Sequence, residues 1–197
     1  LVTNYYMMLL KICNVQAVND QIVQASADIL RKFPEESVDV IDRLLEAVQP
    51  SSIVPAKVAH AWLLGEFGQY TDTSVSALDQ YIDKFYEHDT SLQIQVISSA
   101  VKLFMKRSVD CKPLLAKLFV KTLSPGRNTI PLAVTERAEF YYKLLQSDAD
   151  KSRQTIGVSH QTVEKFFHNR NEDAVKLLLE EFDTLSVFTE KPSYTFL

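Results

Sequence analysis

Apolar residues recur along most of this chain three or four positions apart, with polar residues at the positions between them. Val38, Ile41, Leu44 and Leu45, for example, fall on one side of a helical wheel, and the charged residues among them fall on the other. This spacing is typical of amphipathic helices that bury one face. We therefore predict helices over residues 3–13, 18–33, 37–49, 54–70, 74–88, 91–107, 110–123, 131–147, 160–169 and 172–188.

The segment Ala61–Tyr70 contains the only tryptophan of the chain and two of its four glycines. At helical spacing, the apolar face of this helix is predicted to comprise Val58, Trp62, Leu63 and Phe67. Gly65 interrupts this helix at a cost of about 1 kcal/mol relative to alanine, which favours a close approach by a neighbouring helix. We predict that this is the buried inner helix of a helix pair, with other pairs stacked on both sides of it.

The second helices of successive pairs are predicted to end near Phe33, Tyr70, Arg107 and Ser147, which are 37 to 40 residues apart. This period is typical of HEAT and armadillo repeats. The predicted fold is therefore all-α, a right-handed α-solenoid of HEAT/armadillo-like helical pairs. A lone pair of short helices cannot bury its apolar face, so each pair needs neighbours. A compact helical bundle remains the alternative, because the helical pattern alone does not exclude it.

Residues 1–197 are predicted to form one segment of about five helical pairs, with residues 149–171 irregular. Residues 148–159 are predicted to be a polar connection or a short irregular helix. Thr90 and Gln93 have the spacing of a capping box and are predicted to open the helix that follows them.

Composition narrows the class of protein. The chain is 46% hydrophobic and 23% charged, with a formal net charge of -4, which argues against a nucleic-acid-binding protein. No apolar run is long enough for a transmembrane helix, and the apolar start lacks the basic segment of a signal peptide. Cys13 and Cys111 form no CxxC pair and are predicted to be buried apolar residues in a reducing cytosol.

The residues most suited to catalysis or metal binding do not form a recognisable constellation. Glu66 lacks a second carboxylate or histidine at a useful spacing and is expected to cap or pair within the repeat stack. His60 and Glu66 are six residues apart and cannot share a helix face as metal ligands, and His160 and His168 have no ligand pattern near them. The segment 148–150 lacks the rest of a calcium loop. We predict no catalytic, cofactor-binding or metal site.

Lys102, Lys106 and Arg107 form a basic end to one predicted helix. The helix dipole by itself favours cations at this position. The alternative is contact with an acidic partner or a lipid headgroup.

Five segments resemble, in order, blocks of the beta-adaptins, the large chains of heterotetrameric clathrin adaptor complexes. Residues 61–70 (AWLLGEFGQY) resemble the family's tryptophan-isoleucine-(Ile/Val)-glycine-glutamate-tyrosine block. The other four segments are residues 23–34, similar to the segment ending in arginine-lysine-tyrosine-proline; residues 93–106, similar to "QVQ…AIVKLFLK"; residues 136–145, similar to "DRGYIYWRLL"; and residues 190–197, similar to "KPPNAFV". Phe67, Ala138 and Tyr142 depart from the family's tyrosine, glycine and tryptophan.

The resemblance implies a non-enzymatic scaffold without cofactors: the C-terminal part of an adaptin trunk, built of HEAT-like helical pairs. Its implied partners are the N-terminal domain of the adaptor medium chain, the small chain and the other large chain, with no nucleic acid. Clathrin would bind through a hinge outside this chain, and membrane association would be indirect. The implied location is cytoplasmic and peripheral, on coated vesicles of Golgi, endosomal or plasma membranes. No partner-binding residue of the family can be assigned to a position here.

Two other functions stay open at this point. A HEAT-like scaffold of another system, such as a coatomer large chain or a nuclear transport or phosphatase scaffold, would have the same fold and different partners. An all-helical enzyme or ligand carrier would need an enclosed polar pocket with converging titratable groups, and the sequence shows no such set.

Overall fold

The computed structural model describes residues 16–32, 41, 44–45, 53–124, 130–147 and 149–157. The chain divides into two compact units, Leu1–Thr162 and Val163–Leu197, and every described residue belongs to the first. The helices predicted over residues 3–13, 160–169 and 172–188 lie outside the described residues, as does most of the one predicted over 37–49.

Every regular element among the described residues is helical, which confirms the all-α class. The α-helices are α1 (Gln16–Lys32), α2 (Val54–Phe67), α3 (Ser74–Asp83), α4 (Thr90–Lys106), α5 (Ser108–Leu123), α6 (Leu132–Ser147) and α7 (Ala149–Ile156). Short 3-10 helices follow α2 at Gly68–Tyr70 and α3 at Phe85–Glu87. Helices α1, α4 and α6 begin and end within two residues of their predicted bounds.

Local chemistry explains where α2 and α4 begin. Pro55 lies in the first turn of α2, where its missing N–H leaves no hydrogen bond unmade. The N-cap of α4 is Asp89, whose Oδ1 accepts a hydrogen bond of 2.9 Å from the N–H of Thr90. The predicted capping box is therefore wrong. Gln93 instead donates through Nε2 to the carbonyl of Phe85 at 2.9 Å, which ties α4 to the preceding 3-10 helix.

The helices form two rows. Helices α1, α2, α4 and α6 pack consecutively in one row, and α3 and α5 pack in a second row against it. The members of the first row end at Lys32, at the 3-10 helix that closes on Tyr70, at Lys106 and at Ser147. These ends fall within one residue of the predicted repeat points. Neighbours within a row are thus one repeat apart, which confirms the α-solenoid of helical pairs rather than a bundle.

Helix α2 is buried on several sides because α1 and α4 pack against it on either side. Leu63 and Phe67 are 0% and 2% exposed, as predicted. Val58 and Trp62, predicted on the same inner face, are only half-buried. The alanines of α2 are also buried in the core: Ala56, Ala59 and Ala61. The predicted positions therefore all contact the core, Val58 and Trp62 only in part, and burial extends beyond them because α2 packs against both α1 and α4.

In α1, the apolar spacing predicts five positions on the inner face: Val18, Ile22, Ala25, Ile29 and Phe33. Ile22 is buried there, and Phe33 lies outside the described residues. Val18, Ala25 and Ile29 are half-buried. The other fully buried apolar residues of this helix lie on the adjacent face: Val23, Ala27 and Leu30. In α4, the apolar spacing predicts five core positions: Ile94, Ile97, Val101, Phe104 and Met105. Ile97 and Val101 are 0% exposed, and the other three are half-buried.

Three smaller findings bear on the sequence predictions. Cys111 is a free, fully buried thiol, as predicted, whereas Cys13 lies outside the described residues. Helix α7 forms at the start of the segment predicted to be a polar connection or an irregular helix, and its buried Ser152 donates a 2.6 Å hydrogen bond to the carbonyl of Leu144. Within the described part of the chain, no helix has the length and apolar character needed to cross a bilayer.

Candidate functional site

Gly65 marks a close approach between α2 and α4. A Cβ atom placed on Gly65 would lie 2.6 Å from the Cα of Ser99 and 2.8 Å from its Cβ. Any side chain at this position would therefore push against the backbone of the neighbouring helix. The close helix approach predicted from this glycine is confirmed.

Glu66, the next residue, is only 7% exposed, and its partners come from the following repeat. The Nζ of Lys102 contacts its Oε1, and the Nζ of Lys106 lies 3.9 Å from its Oε2 and contacts its main-chain carbonyl. Burial lowers the pKa of Lys102, and repulsion from Lys106 and Arg31 lowers it further. A buried carboxylate requires such partners. The predicted pairing of Glu66 within the repeat stack is confirmed.

Arg107, the third residue of the basic group, also bonds to the preceding repeat. Its Nη1 donates a 2.9 Å hydrogen bond to the carbonyl of Thr71, just after the 3-10 helix that follows α2. Its Nη2 lies 2.8 Å from a carboxylate oxygen of Asp110. Each of the three basic residues therefore has acceptors within the chain. This arrangement favours the helix-end interpretation over a contact with an acidic partner.

The row formed by α3 and α5 repeats this arrangement. The Nζ of Lys117 lies 2.7 Å from both the Asp79 and the Asp83 carboxylates, and the hydrogen bond from Lys117 lowers the pKa of Asp83. The Nζ of Lys121 donates to the carbonyls of Ile82 and Asp83, at 2.7 and 2.9 Å, where α3 ends. The sequence analysis missed these pairs. The available signal was a set of basic residues one repeat length after their acceptors.

Arg31 of α1 contacts Trp62 of α2. Its guanidinium carbon lies 4.3 Å from the centroid of the Trp62 ring, and its Nη1 lies 2.9 Å from a carboxylate oxygen of Asp28. A cation held over an indole face is a favourable contact. Trp62 therefore packs against the core and also contacts the neighbouring repeat through Arg31.

A partly buried polar contact joins α2 to α3. Nδ1 of His60 and the hydroxyl of Tyr81 are 3.0 Å apart, and the ring of His88 lies edge-on to Tyr81 with centroids 5.7 Å apart. Burial lowers the pKa of His60 to about 4 and raises that of Tyr81 to about 12. His60 is thus a neutral imidazole at pH 7, paired with a phenol. Nothing in the sequence spacing of these residues indicated the contact.

The other residues considered as metal ligands in the sequence analysis lie largely outside the described ranges. Within the described ranges, no group of three His, Cys, Asp or Glu side chains is arranged to hold a metal ion. His160, His168 and Asp148 lie outside those ranges, as does the side chain of Asp150.

Helix α5 exposes an apolar stripe along its outer face. Val109 is 85% exposed and Val120 64%, and the exposed Pro113 and Ala116 lie between them at helical spacing. The outer face of α3 is polar at its exposed positions Ser76, Gln80 and Asp83. Contiguous exposed apolar surface is typical of contacts with other molecules. The stripe is therefore the described surface to examine first for a partner contact.

Comparison with known proteins places the chain in a family. It is 30% identical over 172 residues to the beta-adaptin-like protein A of Arabidopsis thaliana, which covers 86% of this chain and 20% of that protein. It is 24% identical over 182 residues to the AP-1 complex subunit beta of Dictyostelium discoideum, and this match covers 92% of this chain and 19% of that protein. It is 25% identical over 142 residues to the AP-1 complex subunit beta-1 of Rattus norvegicus, and this match covers 72% of this chain and 15% of that protein.

The chain thus spans about a fifth or less of the length of these relatives. Residues 2–149 also match the model of the family described as the adaptin N terminal region. Because this match covers most of the chain and its helices stack as repeats, the chain belongs to the adaptin N-terminal region family.

Proposed function

We propose that residues 1–197 form one segment of a beta-adaptin trunk, in its C-terminal part, and that the segment is a non-enzymatic scaffold of a vesicle-coat adaptor complex. The observation that carries this proposal is the match of residues 2–149 to the adaptin family together with relatives that are beta subunits of adaptor complexes. The stacked helical pairs supply a physical basis, since consecutive repeats present an extended surface to partners.

In this proposal the segment holds the N-terminal domain of the medium chain and assembles with the small chain and the other large chain. Clathrin binds through a hinge outside residues 1–197, and the segment reaches the membrane only as part of the complex. The complex works in clathrin-mediated intracellular protein transport, on the cytoplasmic side of Golgi, endosomal or plasma membranes. Small rotations between repeats accompany its opening at the membrane.

Co-expression with adaptor medium and small chains tests the proposal. We expect the tagged segment to retain the cognate medium chain through purification, and circular dichroism establishes that the segment is folded. A folded segment that retains no adaptor chain, or that instead retains coatomer chains, would contradict the assignment.

Surface variants then locate the contact. Val109→Glu combined with Val120→Glu places charge on the apolar stripe of α5, where both side chains are exposed. Gln80→Glu on the exposed face of α3 is the matched control. Loss of the medium chain from the double variant alone assigns the contact to α5. Retention by both variants assigns the contact to another surface.

A further inference from the structure

The packing between consecutive repeats is uneven along the first row of helices. Helix α4 packs against α2 far more extensively than against α6. Eight of the fourteen residues of α2 are buried, and the same number of the seventeen in α4. In α6, Val134 and Ala138 are fully buried, and Tyr141 and Leu145 pack against the core in part. The contact between α2 and α4 is therefore dense, and the contact between α4 and α6 is sparse.

Polar contacts are likewise more extensive between α2 and α4 than between α4 and α6. Between α2 and α4, Gly65 lies against Ser99, and the two lysines of α4 contact Glu66. Among the described residues, one side-chain hydrogen bond joins α4 to α6, from the hydroxyl of Tyr141 to the Oγ of Ser98, and its length is 3.5 Å. That length is at the limit of a hydrogen bond.

Among the side chains that the structure describes, the polar links of α5 likewise go to α3 and not to α6. Lys117 and Lys121 of α5 pair with carboxylates and carbonyls of α3. Between α5 and α6 the described side chains offer an edge-on ring contact, Phe119 with Tyr142, with centroids 5.3 Å apart. Neither row has an ion pair to α6 within the described part of the chain.

We infer that the solenoid bends at the junction of α4 and α5 with α6, while the repeats from α2 to α5 move as one stiff block. Segments with few buried contacts and few polar links are those that open and shift most readily. A junction held by apolar contacts can slide, whereas one held by a backbone approach and buried ion pairs has a single geometry. The inference concerns the chain itself and holds whichever partner the segment binds.

Distances between spin labels test this inference on the 197-residue chain with Cys13→Ser and Cys111→Ala. Gln69, Ser108 and Ser147 are exposed, lie at the ends of successive repeats and are evenly spaced in sequence. Labelled cysteines at 69 and 108 report the stiff block, and those at 108 and 147 report the proposed bend. We expect the second distance distribution to be about twofold broader than the first. Equal widths, or a broader first distribution, would overturn the inference.

A double substitution shows whether the width of a distance distribution reports the stiffness of the chain or the motion of the spin labels. Lys102→Met with Lys106→Met removes the two cations that contact Glu66. We expect this change to broaden the distribution between 69 and 108 and to leave that between 108 and 147 unchanged. An unchanged width between 69 and 108 would refute the role assigned to these lysines.

Hydrogen exchange on the unmodified chain needs no substitution and covers the case in which a variant fails to fold. Amides of α6 are expected to exchange at least about tenfold faster than those of α4, because local opening follows contact density. Equal protection of the two helices would count against a bend at this junction.

Discussion

Gly65 and Glu66 are adjacent in the chain and have different roles in the contact between α2 and α4. Gly65 lets the backbones approach, because a Cβ there would lie 2.6 Å from the Cα of Ser99. Glu66 supplies a buried carboxylate to which the lysines of the next repeat bond. The close approach at Gly65 and the ion pairs of Glu66 therefore set the distance between α2 and α4 together. Each contribution can be tested by substitution.

Gly65→Ala is expected to lower the free energy of unfolding by about 1 to 2 kcal/mol. Overpacking against the Ser99 backbone costs about 1 to 3 kcal/mol, and the higher helix propensity of alanine returns up to about 1 kcal/mol. Urea unfolding followed by circular dichroism measures the difference. Gln80→Ala, on the exposed face of α3, is the control and is expected to stay within about 0.5 kcal/mol of the parent chain. An alanine variant as stable as the parent would show that α2 and α4 can separate freely.

His60 predicts a pH dependence of stability. Burial lowers its pKa from 6.5 to about 4 in the folded chain. The unfolded chain therefore binds more protons between these values, and stability falls as the pH drops through that window. We expect a loss of about 2 kcal/mol between pH 7 and pH 5 from this residue.

Urea unfolding at the two pH values measures this loss, with His60→Phe as the comparison. The phenylalanine variant cannot titrate at this position, so its stability should change less with pH even if it is lower at pH 7. The same pH dependence in both chains would assign the effect to other groups.

At the scale of elements, basic side chains of one repeat bond to carbonyls at the C-terminal end of the equivalent helix in the repeat before. Lys106 does so at Glu66, and Lys121 at Ile82 and Asp83. The last carbonyls of a helix have no partner within it, and they carry the negative end of the helix dipole. A cation from the next repeat donates hydrogen bonds to these carbonyls and also interacts favourably with the helix dipole. The helix ends are therefore coupled along the row.

Lys121→Met is expected to cost about 1 kcal/mol of stability, because the carbonyls at the end of α3 lose a charged donor. Lys112→Met, on the exposed side of α5, is the matched control with the same change of charge and size. Thermal unfolding of both variants measures the difference. Equal midpoints would mean that water replaces the lysine at no cost.

At the scale of the whole molecule, the pair formed by α3 and α4 is not self-sufficient. Leu78 and Ile82 of α3 and Ile97 of α4 are 0% exposed in the structure, and their row neighbours α5 and α2 pack against the same helices. Removing those neighbours would expose apolar faces on both sides of the pair. Stability in such an array is a sum over adjacent repeats.

A fragment of residues 74–106, which contains α3 and α4, is therefore expected to be largely unfolded alone. Short isolated helices are marginal in water, and the pair lacks both flanking repeats. Far-UV circular dichroism of the fragment, compared with the 197-residue chain at equal residue concentration, measures this. A fragment with the helicity of the parent segment would show that the pair is an independent domain.

The sequence alone determined the helices and their period, because apolar spacing and helix breakers are local properties. It also determined that Gly65 lies at a close contact, since a glycine inside an amphipathic helix has a cost that a neighbouring helix must offset. The family resemblance, carried by residues 61–70 and four further blocks, agrees with the match over residues 2–149.

Only the tertiary structure decided which side of each helix is buried and which charges meet. Trp62 was predicted on the inner face of α2, and it packs there only in part, because one face of its ring lies under Arg31 of the preceding repeat. The partners of Glu66 and the contact of His60 with Tyr81 join residues 36 and 21 positions apart. Such pairs form only when separate helices are brought side by side, and the local pattern of a chain does not carry that geometry.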